Sequence, residues 1–375
     1  MKKIAYVATI PAVIDAFLSG HIRAASSHWQ VKLISHPQGA ELLRHLDAEF
    51  IPLAFERKMS PWRDLVTLCQ LVSLFRRERF DLVHTIMPKT ALLGMLAARL
   101  ARVPHRIHTF TGQVWATRSG WKRWLLKLID RSVIALASEV MIDSPSQRDF
   151  LIREGVLPAG KGIVIGQGSI CGVDERRFHP DASYRARLRE QLNIAPSDRV
   201  ILFLGRLNRD KGTLELAQAF NDIARCREGV VLVWVGAEEE VSFERLQALC
   251  AEHKHKMRRV AYTTTPEHYM AMADIFCLPS HREGFGQVII EAGACGLPTV
   301  ASRIYGITDA VEDGITGCLT PVGDVSALFE ALLNLIDAPD LRTTMGQAAR
   351  QRASQVFASD AITEGWQALY RKLLN

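Results

Sequence analysis

The sequence predicts an α/β protein built from two doubly wound, Rossmann-like domains. Three observations lead there. Short β-branched runs alternate with helical stretches in both halves of the chain, as expected of βαβ units and a parallel sheet covered on both faces. At 375 residues the chain is longer than one hydrophobic core comfortably fills. Between the halves, residues Gly166–Pro180 are rich in glycine and lack periodicity, which marks a domain crossover.

In the first half, strands are expected at Ile4–Thr9, Val31–Ser35, Leu82–Thr85, Arg106–Thr109, Val140–Asp143 and Ile163–Ile165. Lys2 and Lys3 before the first apolar run imitate a secretory leader. That run is short, stops at Pro11 and lacks a small-residue cleavage site, so a first strand is expected instead. Helical patterns lie between the strands, at Pro61–Arg77, Thr90–Ala101, Trp121–Ala137 and Pro145–Glu154.

The second half repeats the scheme. It runs through Val200–Leu204, a helix from Thr213, Val230–Val235, a helix near Phe243–His253, Val260–Tyr262 and Ile275–Leu278. Thr299–Ser302 and Gly317–Thr320 close the sheet. After Asp324 the chain is helical to its end, with a break near Ala358–Asp360. The tail Trp366–Leu374 carries apolar residues at helix spacing and needs a surface to pack on. These elements divide the chain into a first domain at 1–170 and a second at 171–359, followed by a terminal helix at about 360–375.

Composition narrows the function. Apolar content of 48% and charged content of 23% are those of a soluble globular protein. The seven cysteines include no C-x-x-C pair, which argues against a zinc ribbon or a secreted disulfide scaffold and for a reducing cytosol. No apolar segment approaches the roughly 18 residues that span a bilayer. The charge is uneven: residues 1–170 hold 23 Lys and Arg against 13 Asp and Glu, whereas the remainder holds 23 against 27. A basic first half suits an anionic partner.

The chemistry centres on Asp274–Pro298, which reads as a buried strand, a polar loop and a helix opened by Gly284-Phe-Gly286. Glu283 and Glu291 bracket the loop and the helix. A loop at a strand's carboxyl end and a helix's amino end is where open α/β sheets bind ligands and where bare N–H groups attract phosphate. A second loop, Leu204-Gly-Arg-Leu-Asn-Arg-Asp-Lys-Gly212, offers Arg206 as a fork and Lys211 as a point charge, a pairing suited to a diphosphate. Neither half carries the dinucleotide fingerprint G-x-G-x-x-G after a strand, and Gly160-Lys-Gly162 lacks the spacing of a P-loop.

Taken together, these motifs resemble retaining glycosyltransferases with the GT-B fold, family 4. The resemblance is carried by Gly205-Arg206-Leu with Lys211-Gly212, by Pro279-Ser with Glu283-Gly-Phe-Gly and Glu291-Ala, by Gly296-Leu-Pro-Thr-Val-Ala-Ser302, by Gly306-Ile-Thr-Asp309 and by Asp313-Gly-Ile-Thr-Gly317. These motifs stand in order over about 200–325. Gly168-Ser-Ile-Cys-Gly-Val-Asp174 is similar to bacterial polysaccharide-assembly members, with Cys171 in the place of an expected Asn.

The resemblance implies two Rossmann-like domains facing across a cleft, with the C-terminal helix packing back on the first. It implies an NDP-sugar donor, UDP-linked, held mainly by the second domain, with no other cofactor. Arg206 and Lys211 would neutralise the leaving diphosphate. In the donor loop Gly284–Gly286, the N–H groups of Phe285 and Gly286 would assist. Glu283 would face the transferred sugar and Glu291 the ribose hydroxyls, and main-chain atoms around Val260 would meet the base. No D-x-D occurs in the chain, consistent with a metal-independent hexosyl transfer.

The first domain departs from the family. Thr9-Ile-Pro-Ala-Val13 replaces the usual Gly-Gly loop. Thr111 stands where relatives commonly have a His before Gly112, and His108 sits three residues earlier. Strand alternation puts His108 and Phe110 on one face and Thr109 and Thr111 on the other. The family role therefore stays open between His108 and Thr111, each otherwise an ordinary strand residue, and His84 is a similar candidate.

Trp121, Trp124, Leu125 and Leu128 form one helical stripe with Lys122, Arg123 and Arg131 around it. The stripe suits either an anionic membrane surface or the protein's own core. Arg57-Lys58-Met-Ser-Pro-Trp62-Arg63 would extend the same basic face.

The expected function is transfer of a sugar to a glycan acceptor, undecaprenyl-diphosphate-linked, in bacterial surface polysaccharide synthesis. It would take place on the cytoplasmic face of the membrane, without nucleic acid. Two alternatives stay open: a soluble sugar acceptor, or an altered GT-B protein that only binds membrane or nucleic acid.

Overall fold

The computed structural model describes residues 1–56 and 60–375, so Arg57, Lys58 and Met59 of the basic stretch lie outside the described residues. Two compact units emerge: Met1–Gly172 together with Ser359–Asn375, and Val173–Ala358.

The first unit runs β1 (Lys3–Val7), α1 (Pro11–Ser26), β2 (Gln30–Ser35), β3 (Glu49–Pro52), α2 (Pro61–Glu78), β4 (Leu82–Ile86) and α3 (Pro88–Leu100). It continues with β5 (His105–Phe110), α4 (Gly120–Leu136), β6 (Glu139–Ile142) and α5 (Pro145–Arg153). Its six strands are all parallel in the order β3-β2-β1-β4-β5-β6.

The second unit runs α6 (Ala182–Gln191), β7 (Arg199–Leu204), α7 (Thr213–Cys226), β8 (Val230–Val235), α8 (Phe243–Leu249), β9 (Met257–Val260) and α9 (Pro266–Met272). It continues with β10 (Ile275–Leu278), α10 (Gln287–Ala294), β11 (Thr299–Ser302), α11 (Ile307–Ala310), β12 (Gly317–Thr320), α12 (Val325–Asp337) and α13 (Pro339–Val356). Its parallel order β12-β11-β10-β7-β8-β9 repeats the first sheet.

The local causes are visible in the residues. Central strands such as Val230-Val-Leu-Val-Trp-Val235 and Ile275-Phe-Cys-Leu278 are buried on both faces and read as continuous apolar runs. Proline stands in the first turn of α1, α2, α3, α5, α9 and α13, where its fixed φ suits a helix and its missing N–H costs nothing. Asp181 caps α6 and Asp324 caps α12 through their side chains.

The last helix, α14 (Ser359–Leu374), belongs to the first unit and packs on α1. The seat needed by the tail is an aromatic one. The Trp366 ring stacks 4.8 Å from that of His21 and 4.9 Å from that of His84. Tyr370 Oη meets His84 Nδ1 at 2.6 Å, and His84 Nε2 meets Thr109 Oγ1 at 2.8 Å. His84 is thus a fully engaged core residue under α14, which removes it as a site candidate.

Three expected elements are corrected. Ile163–Ile165 is not a strand: Ile163 makes one bridge, to Met141, because Gly160, Gly162 and Gly166 all take positive φ and interrupt the extended chain. The strand expected at Val260–Tyr262 is instead Met257–Val260. Arginines 258 and 259 hid it, yet Arg258 folds over the edge to donate to the carbonyls of Leu192 and Asn193. The helix near Phe243–His253 stops at Leu249. The short edge strand β3 and the helix α1 complete the first sheet's covering beyond the elements expected.

Candidate active site

The strand order reverses between β7 and β10, so the loops after these two strands flank the switch point of the second sheet. They are the two loops singled out by their charge. Their backbones touch: a Cβ on Gly212, whose φ is +68°, would lie 1.9 Å from the Pro279 carbonyl oxygen, so glycine is the residue that fits. The Asn208 side chain caps the turn by accepting from Lys211 N–H at 3.0 Å, and Thr213 Oγ1 donates to the Asn208 carbonyl.

The side chains clasp in the same place. Lys211 Nζ forms an ion pair with Glu283, and Ser280 Oγ donates to Glu283 Oε1 at 2.9 Å. Both charged groups are largely buried. Alongside, His281 N–H donates to the Asp210 carbonyl, Arg282 pairs with Asp210 at 2.8 Å, and His281 Nε2 meets Glu215 Oε1 at 2.9 Å. The Glu215 carboxylate raises the pKa of His281 above its ordinary value.

Arg206 is more exposed and is held by a residue that sequence reasoning missed. Its Nη1 lies 2.7 and 2.8 Å from the two oxygens of Glu239, on the loop after β8, and Asn208 Nδ2 donates to the same carboxylate at 2.6 Å. The run Glu238-Glu-Glu240 directly after a strand was the available signal. Arg206 and Lys211 therefore each have a carboxylate partner.

Gly286, at φ +88°, opens α10, and Phe285 is buried against Phe357. Glu291 lies further along α10, apart from the Lys211–Glu283 pair, and accepts from Gln287 Nε2 at 3.2 Å. Burial with so little compensation pushes its carboxyl up to about 7. Because the folded pKa is raised, the native state holds an extra proton between about pH 4.5 and 7, and stability is lost as pH rises through that window. Glu291→Gln is therefore expected to be about 2–3 kcal/mol more stable than the parent at pH 8 and equal to it at pH 4, read by urea denaturation.

At Val260 the carbonyl already accepts from Gly236 N–H at 3.2 Å, while Tyr262 beside it is 71% exposed. Among the described residues no three His, Cys, Asp or Glu side chains converge as metal ligands.

In the first unit, His108, Thr111 and Gly112 line one cavity of about 210 Å³ at the carboxyl ends of β4 and β5. The alternation expected of this strand holds: His108 packs edge-on against Phe110 at 4.5 Å, while Thr109 turns to His84 on the other face. His108 Nδ1 lies 2.9 Å from Thr85 Oγ1 and 3.1 Å from the Thr85 carbonyl. Burial pushes the imidazole down to about 3 and keeps it neutral.

The Trp121 stripe of α4 faces outward. Trp121 is 69% and Trp124 63% exposed, and Leu128 joins them, whereas Leu126, Val133, Ile134 and Leu136 take the core side. The core alternative for the stripe is thereby excluded. Of the cations around it, Arg123 pairs with Glu154 and Arg131 donates to the Gly155 carbonyl, while Lys122 sits 5.9 Å from the Trp121 ring centre. No helix of the described residues is long and apolar enough to cross a membrane.

Twin parallel sheets of the same Rossmann order, the second with Arg206 and Lys211 on a loop at its switch point, are the architecture expected of a GT-B protein. A family model described as "Glycosyl transferases group 1" matches residues 185–352, and one described as "Glycosyl transferase 4-like domain" matches residues 22–168. The capsular polysaccharide biosynthesis glycosyltransferase CapM of Staphylococcus aureus is 30% identical over 329 residues, 87% of this chain and 85% of that protein. The UDP-Gal:alpha-D-GlcNAc-diphosphoundecaprenol alpha-1,3-galactosyltransferase of Escherichia coli is 28% identical over 89% of this chain and 88% of its own. Among solved structures, sucrose-phosphate synthase from Thermosynechococcus elongatus shares the fold with a TM-score of 0.83 at 23% identity, covering 100% of this chain and 99% of its own. The chain belongs to the GT-B glycosyltransferases of family 4, enzymes that use a nucleotide sugar.

Proposed function

We propose that the protein is a retaining, metal-independent hexosyltransferase. It moves a sugar from a UDP-sugar to a glycan on an undecaprenyl-diphosphate carrier, in bacterial surface polysaccharide synthesis at the inner face of the cytoplasmic membrane. The observation that carries the donor half is the Lys211–Glu283 pair at the switch point, with Arg206 on the same loop. As the bond from the anomeric carbon to the diphosphate breaks, negative charge grows on the leaving group. Lys211 and Arg206 are fixed cations placed to take it up, so the protein's own side chains supply the neutralisation a metal would otherwise give. The acceptor hydroxyl oxygen forms the new bond to that carbon, and its proton departs with the diphosphate. Glu283, released by Lys211, faces the sugar hydroxyls, and Glu291 accepts from the ribose.

The first unit takes the acceptor in this reading, as its basic charge and the outward tryptophans of α4 suggest. An exposed aromatic stripe with Lys122 beside it suits an anionic bilayer, where the ring lies at the headgroup level and the cation meets phosphate. The names of the two relatives above, one capsular and one acting on a diphosphoundecaprenol-linked sugar, support the same acceptor class.

One experiment tests both halves. The protein is mixed with UDP-, GDP- or ADP-sugars and N-acetylglucosaminyl-diphospho-undecaprenol in phosphatidylglycerol vesicles, and products are weighed by mass spectrometry. A gain of one hexose from a UDP donor alone is expected, with a Trp121→Ser/Trp124→Ser variant lost from the vesicle pellet. Absence of product with every donor, and of thermal stabilisation by UDP, GDP and ADP, would overturn the enzyme reading in favour of a membrane-binding GT-B shell.

A further inference from the structure

The loop that carries Glu283 has no regular structure of its own: Pro279–Gly286 is neither helix nor strand. Whatever fixes the Glu283 carboxylate must come from outside it. The ties arrive as an interlocking charge pattern. Three consecutive loop residues, His281, Arg282 and Glu283, meet Glu215, Asp210 and Lys211 respectively, all from the segment that ends the loop after β7 and begins α7. His281 N–H also donates to the Asp210 carbonyl at 2.8 Å.

Of these three pairs, one changes its charge near neutral pH. Arg282 and the carboxylates stay ionised there, whereas an imidazole titrates. The charged groups that bear on His281 are Glu215 from α7 and Asp210 from the loop after β7. From the turn after β12 its neighbour is Gly323, whose Cβ would lie 3.8 Å from His281 Cε1, and Asp324 beside it is turned to the Ala327 N–H of α12. Within its own loop, Arg282 and Glu283 are engaged by Asp210 and Lys211. The Glu215 bond raises the His281 pKa, and although burial opposes it, the same bond holds Glu215 below its ordinary value. A carboxylate only accepts, so Nε2 is the donor at 2.9 Å whether the ring is charged or neutral. Deprotonation keeps that bond but removes its Coulomb attraction.

We infer that His281 and Glu215 are positioning residues: their contact holds the loop on α7 so that Glu283 and Lys211 meet the donor in register, and it holds best with a protonated imidazole. The inference rests on the donor-site reading proposed above. Because the ion pair exists below the raised pKa and is lost above it, turnover should fall as pH rises through the titration of His281.

The test measures kcat at saturating donor from pH 6.5 to 9 for the parent, His281→Gln and Glu215→Gln. The parent is expected to lose about three- to tenfold across this range. His281→Gln can still donate to Glu215 but carries no titrating charge, so its profile should be flat and close to the parent's alkaline level. Glu215→Gln should keep the fall but move it to lower pH, as His281 returns toward its ordinary value. At any one pH the donor KM of the three proteins should agree within about twofold, since positioning acts on turnover rather than on binding. Hydrogen exchange of Ser280–Phe285, corrected for the intrinsic effect of pH, should show more opening at alkaline pH in the parent and none of that change in His281→Gln. A flat parent profile, a fall that Glu215→Gln leaves in place, the same fall in His281→Gln, or a change confined to donor KM would overturn the inference. Failure of the donor reading is separate: the parent would transfer from no nucleotide sugar, while the exchange of Ser280–Phe285 still decides whether the pair holds the loop.

Discussion

Lys211→Ala is expected to lower turnover by about 10²–10³-fold with donor affinity reduced far less. Two effects add. In the proposed mechanism the fixed cation that meets growing charge on the leaving diphosphate is gone, and Glu283 loses its ion-pair partner in a largely buried place, so a carboxylate would repel the anion that Lys211 is proposed to attract. The double variant Lys211→Ala/Glu283→Gln separates these effects. If Glu283 serves chiefly as the resting counter-ion of Lys211, the double variant regains part of the single variant's loss. If Glu283 also holds the sugar, the double variant is slower still. Single-turnover rates at saturating donor decide between them. A Lys211→Ala enzyme within threefold of the parent would remove Lys211 from the chemistry.

Lowering pH from 7.5 to 5 is expected to unfold the first unit well before the second. Three imidazoles of the first unit are buried and neutral: burial pushes His21 down to about 4, His108 to about 3, and His84 well below its ordinary value. A depressed folded pKa means that the unfolded chain binds protons the native one refuses. The stability is therefore whole above about pH 6.5 and is lost as pH falls toward the folded values. Asp130 works against this, since its raised pKa lets the native state hold one extra proton between its ordinary value and about 6. A net difference near two protons costs about 3 kcal/mol per pH unit around pH 5.

The second unit responds in the opposite sense. Its raised Glu291 and His281 both favour the native state as protons are added. Hydrogen exchange at pH 7.5 and 5, resolved by segment, checks the contrast. Amides of β1, β4 and β5 should lose protection first. Equal loss in both units would sink the account.

Much of the fold was legible in the sequence, for reasons that are local. Val230–Val235, Ile275–Leu278, Thr299–Ser302 and Gly317–Thr320 coincide with observed strands, because doubly covered parallel strands are continuous apolar runs bounded by turn residues. The break before Ser359 was legible in the sequence, and apolar spacing showed that the last helix needs a surface; that this surface is the first unit was implied by the family resemblance. Met257–Val260 was misplaced because arginines on an edge strand look like a loop until their guanidinium groups are seen to cover neighbouring carbonyls. Ile163–Ile165 was overrated because β-branched residues were weighed above the glycines around them.

The candidate site divides along the same line. Which loops carry Arg206, Lys211, Glu283 and Glu291 is written in short motifs, since a strand end, a glycine turn and a helix start span about ten residues. Which charge meets which is not. Arg206 finds Glu239 33 residues on, and Lys211 finds Glu283 72 residues on. Asp130 comes into a cavity beside Met87 and Phe110 from a separate helix. The stripe of Trp121 and Trp124 could equally have faced the core, since periodicity names a face but not its direction. The sequence by itself determined the twin α/β layout and the two charged loops that carry the family's motifs, because these are local patterns of burial and turning. Only the tertiary structure decided the charge pairs, the outward face of α4 and the Asp130 cavity. These depend on contacts between segments far apart in the chain, and no spacing along it encodes them.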